Sequence, residues 1–249
     1  TDWMFLLFEF LLLIFSLFIL YFLTERYGRK EEERADIETR RLKHEMTGNI
    51  SHELKTPVSS IQGYLETIVN HPEISEERRR LFIERSYLQS LRLSDMITDI
   101  STITKLEEAP EQFKVMPVNL KVVFEEVLEE MGDSIRTHGI QVENKLEPLC
   151  VRGNYSLIYS IFRNLIENTM KYAGDGSCVH VSYSASQDGT HCIDYYDTGR
   201  GVAEDELDKI FERFYRLDAD RGKPVGGSGL GLSIVRNAVL FHKGGIKAY

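Results

Sequence analysis

Apolar positions along this chain fall into three regimes. From Trp3 to Leu23 they are nearly continuous (WMFLLFEFLLLIFSLFILYFL), broken only by Glu9 and Ser16. About 20 residues rising about 1.5 Å each cross a hydrocarbon layer of about 30 Å, which reads residues 1–24 as a transmembrane helix. Trp3 and Tyr21 stand near its ends, where aromatic rings favour the interface. Asp2 precedes the run, and Arg26, Arg29 and Lys30 follow it, so the C-terminal side is expected in the cytoplasm. A signal peptide would have a shorter apolar run, positive charge before it and small residues after it; none of these is present. Glu9 is either functional or placed to snorkel from the first two turns.

The second regime is periodic. Residues 25–41 are charged, proline-free and rich in helix formers, which predicts a helical linker out of the membrane. Beyond it, Ile50, Leu54, Val58, Ile61, Leu65 and Ile68 recur at steps of three and four, the seam of a bundled helix. Asn70 to Ser75 (NHPEIS) interrupts the seam. Ser75 followed by Glu76 and Glu77 looks like an N-cap with an acidic first turn, opening a second helix to about Leu106. Its apolar stripe (Leu81, Leu88, Met96, Ile103, Leu106) is less regular. Two helices cannot bury such seams alone, so residues 42–108 are expected to form a helical hairpin that dimerises into a four-helix bundle.

The third regime alternates helix and strand signals. Pro110 and Pro117 bracket a connector. Asn119 is expected to cap a helical run to about Thr137, and Asn154 a second helix through Tyr172. Ile140–Asn144, Val179–Ala185 and His191–Tyr196 read as strands, the last two joined by a Gln-Asp-Gly turn. A third helix is expected from about Leu230 to Phe241. Residues 114–249 thus read as an α/β domain, a mixed or antiparallel sheet covered by helices.

Composition changes this picture little. The apolar share of 42% and charged share of 28% are those of a folded chain. A net charge of −9 argues against a nucleic-acid surface, which needs clustered Lys and Arg. Cys150, Cys178 and Cys192 are odd in number and lack a CxxC spacing, so they read as reduced core or near-core thiols, with no disulfide framework or zinc site. The chain starts at Thr1 and stops at Tyr249, just past a Gly-Gly turn; both ends look cut, and the 114–249 domain is expected to be incomplete.

One histidine stands out by position. With Ile50 at zero and about 100° per residue, the seam falls within about 80°, while His52 falls near about 200°, on the wet face with Thr56 and Ser59. An exposed imidazole beside a carboxylate, Glu53, is either a solvated surface group or a nucleophile whose ring the carboxylate orients. The stretch Asn49-Ile50-Ser51-His52-Glu53-Leu54-Lys55-Thr56-Pro57 resembles the H box of bacterial sensor histidine kinases almost letter for letter. The resemblance implies that His52 accepts phosphate, that Glu53 assists, and that Thr56 supports removal of phosphate from the partner. Pro57 would kink the helix after the reactive turn. The other six histidines match no motif of the family.

Four further stretches follow in the same family's order. Asn164, Asn168 and Lys171 share one face of a helix, a stripe that is either simply solvated or suited to a magnesium-bound triphosphate. Asn164 to Tyr172 resembles the N box, with Asn168 the implied metal ligand. Asp197-Thr198-Gly199-Arg200-Gly201 resembles the first glycine box, in which Asp197 meets the adenine amino group and Gly199 and Gly201 let the backbone pass close to the base. Phe211 to Arg216 resembles the F box, its aromatics anchoring a lid and Arg213 a candidate phosphate contact. Gly226 to Leu232 resembles the second glycine box, with Gly227, Gly229, Leu230 and Gly231 leading into a helix whose free N–H groups face the phosphates. Between Arg216 and Gly226 lies the expected lid.

The resemblance covers about residues 42–245 and implies a Bergerat-type ATP site, not a Walker site, since no GxxxxGK[ST] occurs. The expected activity is autophosphorylation of His52 from Mg-ATP and transfer to an aspartate on a response regulator receiver domain, by a homodimer in the bacterial inner (cytoplasmic) membrane. A Bergerat-type ATPase without phosphotransfer, which places a Glu base where this chain has Asn164, and a membrane scaffold that binds no nucleotide are the alternatives. A receptor acting mainly as a phosphatase shares every residue named.

Overall fold

The computed structural model describes residues 3, 8, 15, 16, 18, 20–22, 25, 26, 47–185, 190–217 and 227–249. The chain divides into two compact units, residues 1–52 and residues 53–249. In the first unit the described apolar residues Trp3, Phe8, Phe15, Phe18, Leu20, Tyr21 and Phe22 are helical and exposed. The expected membrane span 1–24 and linker 25–41 fall mainly outside the described residues. Among the described residues no helix is long and apolar enough to cross a membrane.

Residues 47–108 form a helical hairpin. Helix α1 covers residues 47–70 and continues through Pro57. Helix α2, Glu76–Glu108, begins as expected: the Ser75 hydroxyl accepts the Arg78 N–H at 3.3 Å, and Glu76 and Glu77 fill the first turn. Tyr64 stacks on Phe82 across the hairpin, ring centroids 5.6 Å apart. The seam of α1 is incompletely covered within one chain, with Val58 38% and Leu65 46% exposed. The stripe of α2 splits. Met96 and Ile103 are buried, whereas Leu81 and Leu88 lie open, because the C-terminal half of α2 packs against helix α6, Gly231–Phe241.

After a tight turn at Pro110–Gln112 the α/β domain begins. Strand β1 is Met116–Asn119, helix α3 Leu120–Glu130 and helix α4 Gly132–Thr137. Strands β2, Gln141–Lys145, and β3, Cys150–Gly153, follow, then helix α5, Tyr155–Tyr172. Strands β4, Cys178–Ala185, and β5, His191–Asp197, precede the site loops and α6. The main sheet has the order β2-β4-β5, with β2 parallel to β4 and β5 antiparallel to it. The sheet is therefore mixed. Its parallel pair requires a crossover, which β3 and α5 supply.

Four sequence expectations need correction. The run expected to Thr137 is two helices, broken at Met131, where the chain turns into a new helix without a side-chain cap. Strands β1 and β3, paired from Met116–Gly153 to Asn119–Cys150, were not expected at all. Four residues are too few to show a period of two, and Pro117, expected at the end of a connector, lies within β1, where a two-stranded ribbon tolerates it at an edge. The strand expected at Ile140–Asn144 runs one residue later. Of the cysteines expected as core or near-core thiols, Cys178 is half-buried but Cys150 and Cys192 are exposed, because strand alternation turns these two away from the core. All three are free cysteines. The Gln-Asp-Gly turn between β4 and β5 lies outside the described residues.

The core sits between this sheet and helices α3 and α5. Val123, Phe124 and Val127 of α3 meet Ile158, Phe162 and Ile166 of α5 and Val179 and Val181 of β4. The Phe124 and Phe162 rings lie 5.0 Å apart, and burying each such side chain contributes about 1.5–3 kcal/mol. Both caps form: Asn119 Oδ1 accepts the Lys121 N–H at 3.1 Å, and Asn154 Oδ1 the Leu157 N–H at 3.1 Å. His242 latches the entry of α5. Its Nε2 accepts the Asn154 N–H at 2.8 Å, which leaves Nδ1 to donate to the Ala238 carbonyl at 2.6 Å.

Candidate functional site

Helix α5 is the frame of the site. Its cap fixes its start, and its period sends Ile158, Phe162 and Ile166 into the core. The same register turns Asn164, Asn168 and Lys171 into a cavity of about 200 Å³. Tyr172, Asp197, Gly201, Gly227, Gly229 and Gly231 also line that cavity. Residues separated by up to 67 positions (231 minus 164) are thus gathered in one place.

Asp197, at the end of β5, is held by two donors. Its Oδ1 accepts the Gly199 N–H at 2.9 Å and its Oδ2 the Thr169 hydroxyl at 2.8 Å. Thr169 gives its one proton to that carboxylate, so Tyr195, 2.8 Å from Thr169 Oγ1, donates to Thr169. Burial raises the Tyr195 pKa, which keeps the phenol neutral and able to donate. A carboxylate fixed from behind in this way presents its remaining lone pairs in a defined direction. Sequence reasoning missed both Thr169 and Tyr195, since their roles depend on β5 lying under α5.

The glycines have steric reasons. Gly229 has φ +73°, and a Cβ there would lie 2.7 Å from the Phe214 backbone. The Phe214 N–H donates to the Gly229 carbonyl at 2.9 Å, with Phe214 itself at φ +61°. A Cβ on Gly231 would meet Asn164 Oδ1 at 2.7 Å. The Asn164 amide nitrogen is engaged by the Ser160 carbonyl at 2.8 Å, so its oxygen is the end turned toward Gly231. The Gly227 N–H reaches the Tyr172 hydroxyl at 3.4 Å, tying the second glycine stretch to the end of α5.

Charge in the cavity is balanced by pairing. Glu167 accepts from Lys171 at 2.9 Å and from Arg163 at 3.0 Å. Burial works against ionisation of Glu167, but Lys171 and Arg163 prevail and hold its pKa below the usual value. A residue from the hairpin, Asp99 of α2, also lines the cavity. Burial, with Glu167 and Asp95 nearby, pushes its pKa up to about 6. No sequence motif pointed to Asp99; only the packing of α2 brings it there.

Not every expected residue lines the cavity. Gly199 stands behind it, where a Cβ would lie 2.6 Å from Ala173 Cα. Leu230 is fully buried and anchors the start of α6. Arg213 pairs with Glu107, the penultimate residue of α2. Gly226 and most of the expected lid lie outside the described residues. On α1, His52 and Thr56 are exposed and Glu53 is half-buried, so His52 is on the wet face as its register required. His52 closes the first compact unit, and the cavity belongs to the second.

Residues 42–109 match the family described as the His Kinase A (phospho-acceptor) domain, and residues 153–249 the histidine kinase-, DNA gyrase B- and HSP90-like ATPases. The phosphate regulon sensor protein PhoR of Pseudomonas aeruginosa is 29% identical over 204 residues, covering 81% of this chain and 46% of PhoR. The sensor-like histidine kinase SenX3 of Mycobacterium tuberculosis is 31% identical over 225 residues, covering 90% of this chain and 52% of SenX3. The chain therefore spans about half the length of these two relatives. Histidine kinase ThkA, solved in complex with response regulator protein TrrA, shares the fold at a TM-score of 0.63 and 22% identity, over 87% of this chain and 60% of that one. A phospho-acceptor hairpin followed by an ATPase domain of this kind makes the chain a member of the sensor histidine kinases.

Proposed function

We propose that this chain binds Mg-ATP in the cavity beneath α5, transfers the γ-phosphoryl group to His52, and passes it to an aspartate on a response regulator receiver domain. The observation that carries the ATP site is convergence. Asn164, Asn168, Lys171, Asp197, Gly201, Gly227, Gly229 and Gly231, which belong to three separate stretches resembling motifs of one family, line a single cavity. Asp197 would take the adenine amino group, Lys171 the phosphate charge, and the N–H groups at the start of α6 the phosphate oxygens. Asn168, with the Asn164 oxygen beside it, fits a hard cation's preference for oxygen donors. Magnesium bound there would neutralise triphosphate charge.

His52 then acts as the nucleophile. Its exposed ring attacks in line through the unprotonated nitrogen, a nitrogen–phosphorus bond forms, and the bond to the β-phosphate oxygen breaks, releasing ADP. Glu53 would accept the proton on the other ring nitrogen and so orient the imidazole. Thr56, one turn further on, is assigned to the reverse duty of dephosphorylating the regulator. The domain bounds follow: 42–108 for dimerisation and phosphotransfer, 114–249 for ATP binding. Apolar residues left open on the hairpin support a homodimer. The exposed helical apolar residues before Arg26 support an anchor in the bacterial inner membrane, with the catalytic part in the cytoplasm.

Incubation with γ-labelled ATP tests this directly. Label on the chain should be acid-labile and alkali-stable, and His52→Gln should abolish it while leaving nucleotide binding intact. Release of free phosphate with no label on the chain would indicate an ATPase instead. Failure to retain nucleotide would leave only a scaffold.

A further inference from the structure

We propose that Glu143, Cys178 and His180 form a binding site for a divalent ion of the zinc class, on the face of the main sheet turned away from the core. In strand β4 the side chains alternate: Val179 and Val181 are buried at 0% and 1% exposure, so Cys178 and His180 share the opposite face. The parallel register sets Glu143 of β2 directly beside His180. One sulfur, one nitrogen and one oxygen donor thereby come within 4.8 Å of one another. Tetrahedral zinc with bonds of about 2.0–2.3 Å needs donors about 3.3–3.8 Å apart, a difference that side-chain rotation covers.

The donors are partly organised already. His180 Nδ1 and Glu143 Oε2 are 3.0 Å apart, and the His180 ring stacks on Tyr196 with centroids separated by 4.5 Å. Cys178 is free of any disulfide and half-buried. Its backbone is clamped on both sides: its N–H donates to Thr198 Oγ1 at 2.9 Å, and its carbonyl accepts the Thr198 N–H at 3.0 Å. Donors mounted on rigid strands lose little freedom on binding. A thiolate and a carboxylate with a neutral imidazole offset the charge of a divalent ion. Sulfur and imidazole select zinc, cobalt or cadmium over magnesium, which separates this site from the cation expected with ATP. Three protein donors leave a fourth position for water. Thr198 directly follows Asp197, so the ion would brace the turn that carries the adenine-binding carboxylate.

The test is titration of the purified, nucleotide-free chain with Co²⁺ as an optical probe, then with Zn²⁺. One equivalent of Co²⁺ should give a thiolate-to-cobalt charge-transfer absorption that Zn²⁺ displaces and excess Mg²⁺ does not. Cys178→Ser should abolish the absorption, and His180→Gln and Glu143→Gln should each weaken binding about tenfold or more. Cys150→Ser and Cys192→Ser should leave it unchanged. Glu143 is exposed, so Glu143→Gln tests the site without endangering the fold. An absorption that survives Cys178→Ser, or cobalt affinity indifferent to both His180→Gln and Glu143→Gln, would overturn the proposal, as would the absence of stoichiometric binding.

Discussion

At the scale of single residues, two aspartates at the cavity have opposite consequences. Asp197 accepts from both Thr169 and Gly199. In Asp197→Asn an amide NH₂ would face one of those donors, at a cost of about 1.5–3 kcal/mol. Nucleotide affinity is expected to fall about 10- to 100-fold, read by titration with a fluorescent ATP analogue. Asp99 works the other way. Its pKa is raised by burial, with Glu167 and Asp95 adding to it, from 3.8 to about 6, so between those values the folded chain binds more protons than the unfolded one. Stability contributed by this group therefore falls as pH rises from about 4 to about 6. Asp99→Asn is expected to flatten that part of the melting-temperature profile. Above pH 6 the Asp99 carboxylate faces the proposed triphosphate site, so the same substitution should tighten nucleotide binding about threefold to tenfold at pH 7.5. Of this pair only Asp197 was legible in the sequence, through its glycine-rich surroundings.

At the scale of elements, the hairpin and the α/β domain solve the burial problem differently. Helices α3 and α5 bury their apolar stripes within the chain, against each other and the sheet. Helices α1 and α2 leave Val58, Leu65, Leu88, Leu91 and Ile97 open. Such a surface fits the proposed homodimer. Leu88→Glu is expected to shift the chain toward monomer in sedimentation equilibrium, with little change in the melting of the α/β domain, since Leu88 is 55% exposed in the single chain. The capped helices were legible because Ser75, Asn119 and Asn154 carry strong local signals. The ribbon β1-β3 was not, because its pairing partners lie 31 to 37 positions apart and each strand is only four residues long.

At the scale of the molecule, the hairpin and the ATPase domain touch through the packing of α2 on α6 and through polar contacts. Glu107 and Arg213 make one such contact, at 40% and 29% side-chain exposure. A double-mutant cycle of Glu107→Ala and Arg213→Ala, followed by urea unfolding, is expected to give a coupling of about 0.5–1 kcal/mol. The turn at Pro110–Gln112 is the place where the chain between the hairpin and the ATPase domain bends.

Local chemistry is what the sequence by itself determined. The helix starts, the wet position of His52, the polar stripe of Asn164, Asn168 and Lys171, and the glycine turns all follow from periods and propensities that act over a few residues. The tertiary structure alone decided which distant groups meet: Asp99 in the cavity, Thr169 and Tyr195 behind Asp197, Glu107 on Arg213, and Cys178 with His180 beside Glu143. Those meetings depend on strand register and on which helix faces which. Both are set by burial summed over the whole core, a quantity that no short stretch of residues carries.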